Sequence, residues 1–61
     1  MKIHQLEPGH RILETTDSGE EIRFEVINVK PLGRRYEVTM RTSAGLESVL
    51  YPANAYVQIS A

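Results

Sequence analysis

The sequence predicts an all-β protein in which five short strands roll into one small barrel, and three observations carry that prediction. Turn signals recur at short intervals, at Glu7-Pro8-Gly9-His10, Thr16-Asp17-Ser18-Gly19, Pro31-Leu32-Gly33-Arg34 and Thr42-Ser43-Ala44-Gly45. Proline presets φ at about −65° for the second turn position, glycine accepts the positive φ that other residues avoid, and Asp or Ser side chains bond back to the backbone. Between the turns the residues are β-branched or aromatic and show no helical apolar stripe. The length leaves room for a single core, so residues 1–61 are read as one domain.

A first strand is expected over 11–15. A second, over 21–29, places Ile22, Phe24 and Val26 on one face and then Ile27 and Val29 on the opposite parity. One residue inserted as a β-bulge would return both sets to the core and bend the strand. The third, over 35–42, alternates cleanly, with Tyr36, Val38 and Met40 inward and Arg35, Glu37, Thr39 and Arg41 outward. The fourth, over 46–51, is ambiguous: Val49 and Tyr51 share one face, Leu46 and Leu50 the other, and one pair must be partly exposed. Pro52-Ala53-Asn54-Ala55 reads as a tight or single-turn link, because Pro52 cannot pair in a central strand and Asn54 tolerates left-handed geometry. A last strand over 56–59 turns Val57 and Ile59 inward and leaves Tyr56 outside.

Five strands with a tight link before the last suggest a sheet rolled on itself, which removes exposed edges. Two stretches carry a family resemblance. Leu6-Glu7-Pro8-Gly9-His10-Arg11-Ile12 is similar to the L-x-x-G-[DH]-x-[VI] opening of bacterial SH3-like and KOW-type barrels, and Pro52-Ala53-Asn54-Ala55-Tyr56-Val57 resembles the P-x-N-Y-V ending of SH3 domains with one residue inserted. The chain departs from peptide-binding SH3 domains in lacking tryptophan and an A-L-Y-D-Y stretch, and its first hairpin loop is only Asp17-Ser18-Gly19. The resemblance therefore implies an SH3-like barrel without polyproline recognition. The chain is also similar to small barrel proteins of actinobacterial phages, which implies an accessory protein acting on a host component.

Composition narrows the function classes. There is no cysteine, which removes disulfides, thiolate metal sites and cysteine nucleophiles together. The amino terminus has no apolar run long enough for a signal peptide or a bilayer span, and a cytoplasmic location without membrane association is expected. His4 and His10, with Glu7 between them, are the available soft ligands, too few for a zinc site, so no metal and no cofactor is expected. Serines 18, 43, 48 and 60 lie mostly in turns or at the terminus, Glu20 and Glu21 alternate across a strand, and no G-x-G-x-x-G or G-K-[ST] loop occurs. The chain is read as a non-enzymatic interaction module.

Two surfaces compete for the partner. Net charge is −1, yet four bases, Lys30, Arg34, Arg35 and Arg41, stand within 30–41 against one acid, Glu37, while 14–25 holds five acids and one base. Lys30 and Arg35 are expected as cross-strand neighbours, with Arg41 farther along the same face, a strip suited to a nucleic-acid backbone. The plainer reading of that face is solvated side chains with weak cross-strand ion pairs such as Glu25 with Arg41. The favoured surface is apolar: Leu50, Tyr51, Pro52 and Tyr56 would supply contact area to a protein partner, a second copy of the chain included.

Overall fold

The computed structural model describes residues 1–60. A short 3₁₀ turn, Ile3–Gln5, precedes five strands: β1 (Arg11–Thr15), β2 (Glu21–Leu32), β3 (Arg35–Thr42), β4 (Gly45–Pro52) and β5 (Ile59–Ser60). All pair antiparallel in one sheet of order β4-β3-β2-β1-β5. The all-β reading and the four hairpin or turn positions hold. The sheet is not closed, since among the described residues no ladder joins β4 to β5 and both remain edges.

The turns form for the reasons legible in their residues. His10 donates its backbone N–H to the Glu7 carbonyl across Pro8 and Gly9, and Gly9 takes φ +98°. The His10 ring tightens this turn, its Nδ1 accepting the Glu7 N–H at 3.0 Å. At the β2–β3 connection the hairpin is tighter than its turn signal implies. Pro31 and Leu32 remain in the strand, opposite Tyr36 and Arg35, and only Gly33 and Arg34 form the loop. Proline is tolerated there because β1 pairs with β2 only over residues 21–25, so the missing N–H of Pro31 interrupts no ladder on that side.

The bulge falls where the parity of β2 switches. Val26 faces Met40 and Asn28 faces Thr39, which leaves Ile27 as the inserted residue. Phe24 and Val26 before it and Val29 after it reach one core, whereas Ile27 is half-buried outside it. A bulge of this kind bends the strand that carries it.

One face of the sheet is covered. Its core is Ile12 of β1, Val26 of β2, Val38 and Met40 of β3, together with Ile3, Leu6 and Val57 from the segments laid across them. The cover is held by backbone bonds: the Met1 ammonium donates to the Val57 carbonyl, Val57 N–H to the Met1 carbonyl, and Ile3 N–H to the Ala55 carbonyl, at 2.8, 2.8 and 3.0 Å. This pairing shortens the last strand. Residues 56–57 pair with the amino terminus rather than with β1, so the expected strand over 56–59 becomes Ile59–Ser60, opposite Ile12 and Arg11.

Ile3 is fully buried although it sits in a three-residue turn with little stability of its own. Ile3→Ala should therefore lower the unfolding free energy by about 2–4 kcal/mol in urea titration. His4→Ala, at the exposed neighbouring position, should stay within about 0.5 kcal/mol. Equal effects of the two substitutions would contradict the burial assigned to Ile3.

Candidate functional site

The ambiguous fourth strand is resolved by its register. β4 pairs with β3 without interruption, placing Val49 opposite Val38 and Tyr51 opposite Tyr36, on the covered face. Leu46 lies opposite Arg41 and Leu50 opposite Glu37, on the open face, where they are 62% and 50% exposed. Apart from half-buried Tyr51, every residue of β4 is exposed. The strand thus has a neighbour along one side only and solvent on both faces.

The expected apolar set is divided by this register. Leu50 and Tyr51 point to opposite faces, and Tyr51 packs against the core. Pro52 ends β4 opposite Arg35, in a turn where Ala55 N–H bonds the Pro52 carbonyl at 2.9 Å. Tyr56, just beyond that turn, is 75% exposed and is held through a backbone bridge to Lys2. Two further exposed leucines belong to the open face: Leu46, and Leu32 in the row Leu32–Arg35–Pro52. The pairing of Leu46 with Leu50 by parity was the signal for the first. Leu32 carried none, because its position inside a turn signal concealed that it ends a strand.

The basic residues are also rearranged. Lys30 stands opposite Glu37, not Arg35, whose partner on β2 is Leu32. Lys30, Arg34 and Arg35 occupy one end of the β2–β3 hairpin and Arg41 the other, about 20 Å along β3 from Arg35. Arg41 instead pairs with Glu25, Nε to Oε1 at 3.5 Å, both side chains largely exposed. Arg11 lies on the other side of Glu25, giving the open-face row Ser60–Arg11–Glu25–Arg41–Leu46. An open cleft of about 350 Å³ is lined by Arg11, Arg23, Glu25, Arg41, Thr42 and Ser43.

Other polar groups have local tasks. Thr16 accepts the Glu20 N–H and shares a hydrogen bond with Ser18, while Thr39 and Ser48 bond across β3 and β4 at 3.0 Å. Among the described residues no group of three or more His, Cys, Asp or Glu is placed to hold a metal ion, and no helix is long and apolar enough to cross a membrane. Comparison with protein families, characterised proteins and solved structures finds no significant match to the chain.

The titration of Tyr51 is displaced upward. Burial raises its phenol above the usual 10.0, and the Glu14 carboxylate raises it further. A raised phenol means that the unfolded chain loses its proton first, so the native state holds more protons in that window and stability falls as pH rises. The loss should begin at the unfolded value, about 10, and end at the higher native one. In alkaline titration followed by tyrosinate absorbance, Glu14→Gln should move the Tyr51 component to lower pH, and Tyr51→Phe should remove its part of the alkaline destabilisation. An unmoved Tyr51 component in Glu14→Gln would disprove the electrostatic contact.

Proposed function

We propose that the protein is a non-enzymatic interaction module with SH3-like small-barrel topology, and that it binds a protein partner by taking an extended segment of that partner onto the edge of β4. The observation that carries this reading is the character of β4 itself. Proteins blunt exposed sheet edges with charged side chains, lysine above all, and with proline, bulges or brevity; β4 carries one such charge, Glu47, opposite Met40 on the covered face. The segment Leu46-Glu47-Ser48-Val49-Leu50-Tyr51 has no basic residue, no proline and no bulge in its ladder, and proline comes only at its end. Alternate N–H and C=O groups along an edge strand point away from its neighbour and can bond to an added strand, with side-chain contacts on alternate positions giving selectivity. The matching segment is extended, with apolar side chains that meet Leu46 and Leu50 on the open face. Pro52 and Tyr56, beyond the carboxyl end of β4, extend that contact, while Tyr51 supports it from the covered face.

The strand order β4-β3-β2-β1-β5, with a turn interrupting the chain before the short last strand, supports the barrel topology. A cytoplasmic accessory role, such as that of phage proteins acting on host components, fits this reading.

A second copy is a specific form of the same contact. Two β4 strands related by a two-fold axis at Ser48 would set Leu46 of each chain opposite Leu50 of the other, joining four leucines on one face. Sedimentation equilibrium separates the two forms, because only self-pairing gives a mass that rises with concentration.

Leu50→Lys places a charge on an exposed edge and should change stability by no more than about 0.5 kcal/mol. Wild-type protein, Leu50→Lys and Tyr56→Ala would be used to capture proteins from nuclease-treated bacterial lysate, and any retained protein then titrated with each. The Leu50 substitution should weaken binding by at least about tenfold and Tyr56→Ala by about 1–2 kcal/mol, with little dependence on salt. Undiminished retention by both variants would reject the β4 site.

A further inference from the structure

We propose that the cleft on the open face, lined by Arg11, Arg23, Glu25, Arg41, Thr42 and Ser43, is a binding site for phosphate groups. This site is separate from the β4 edge and does not rest on the protein-binding reading. Three strands contribute to it. Arg11 and Arg41 flank Glu25 in one cross-strand row, and Arg23 precedes Glu25 by two residues on the same face of β2. Neighbouring strands are about 4.8 Å apart and same-face residues about 7 Å apart, so three arginines and a single carboxylate line the same cleft. The excess is two positive charges in a protein whose net charge is −1.

Two of the guanidiniums are anchored in a way that leaves their forks available. Arg23 donates from Nε to Ser60 Oγ at 3.0 Å, and the contact of Arg41 with Glu25 also runs through Nε, at the longer distance of 3.5 Å. The terminal nitrogens of both make no other hydrogen bond or ion pair among the described residues, and the Arg11 guanidinium makes none. Guanidinium groups oriented in this manner match the paired oxygens of a phosphate, and the hydroxyl of Ser43 at the β3–β4 turn adds a donor at the cleft's end. Glu25 pairs with Arg41 in the free protein and competes with an anion for it.

The ligand is therefore a phosphate-bearing molecule, either a small phosphorylated compound or the backbone of a nucleic acid. The cleft has no aromatic lining residue on which bases could stack. Recognition of a nucleic acid here would be independent of sequence.

The test uses the whole chain in low salt, titrated with inorganic pyrophosphate and separately with a short oligothymidylate, while arginine Nε–H signals are followed by NMR. The signals of Arg11, Arg23 and Arg41 should shift ahead of those of Arg34 and Arg35. Arg41→Ala and Arg23→Ala should each weaken binding about fivefold, Arg35→Ala should leave it unchanged, and Glu25→Gln, which preserves shape, should tighten it about threefold by removing the competing charge. Arg41→Lys, which keeps the charge and loses the fork, should fall between wild type and Arg41→Ala. Tight oligothymidylate binding whose salt slope drops by about 0.7 with each lost arginine identifies a nucleic-acid backbone, whereas preference for pyrophosphate identifies a small ligand. Equal shifts of all five arginines, or weaker binding in Glu25→Gln, would overturn the proposal.

Discussion

The structure depends on the pairing of the first residues of the chain with residues 55–57. A single antiparallel sheet has two faces, and 61 residues supply apolar side chains enough to bury one of them. Another layer must lie on that face, and here it consists of Ile3, Leu6 and Val57, fixed by reciprocal backbone bonds between Met1 and Val57 and by Ile3 N–H to Ala55. These bonds serve twice. They satisfy main-chain groups that would otherwise be buried unpaired, and they bring Ile3 into one core cluster with Val26 and Val38. The bulge at Ile27 complements this cover by letting residues from both halves of β2 reach the same core.

Both candidate surfaces follow from where that cover stops. Val26, Val38 and Met40 lie beneath it, but β4 extends beyond, so that even Val49, on the covered face, is 37% exposed. Apart from Tyr51, which packs against the core, the residues of this edge strand stay exposed. Among the described residues nothing covers the opposite face of the sheet, where the exposed leucines Leu32, Leu46 and Leu50 lie among charged and polar side chains and the Arg11–Glu25–Arg41 row concentrates positive charge. Apolar edge and basic cleft adjoin where Leu46 stands opposite Arg41.

Much of the fold was legible because local chemistry decided it. Gly9, Gly19, Gly33 and Gly45 all take positive φ at the four turn signals, and the clean alternation of Tyr36, Val38 and Met40 fixed the inward face of β3. What was not legible depended on tertiary pairing. Nothing in Met1-Lys2-Ile3-His4-Gln5-Leu6 signals that it crosses the sheet, since so short a 3₁₀ turn has no periodicity to read, and without it the trimming of the last strand cannot be anticipated. The site was less legible than the fold for a related reason. Arg11, Arg23 and Arg41 are far apart in sequence and come together through register, while the run from Lys30 to Arg41, compact in sequence, is drawn out along a hairpin. Charge clusters in a strand protein have to be read across the ladder rather than along the chain.

Amide hydrogen exchange across the free protein measures the central division most directly, between a covered half of the sheet and an uncovered β4. The result expected is slow exchange at Val26, Val38 and Met40 together with Ile3 and Val57, and near-unprotected exchange at alternate amides from Leu46 to Tyr51, where the groups facing away from β3 have no partner. Uniform protection throughout β4 in the monomer would contradict it, because the edge would then be paired within the chain and closed to any partner.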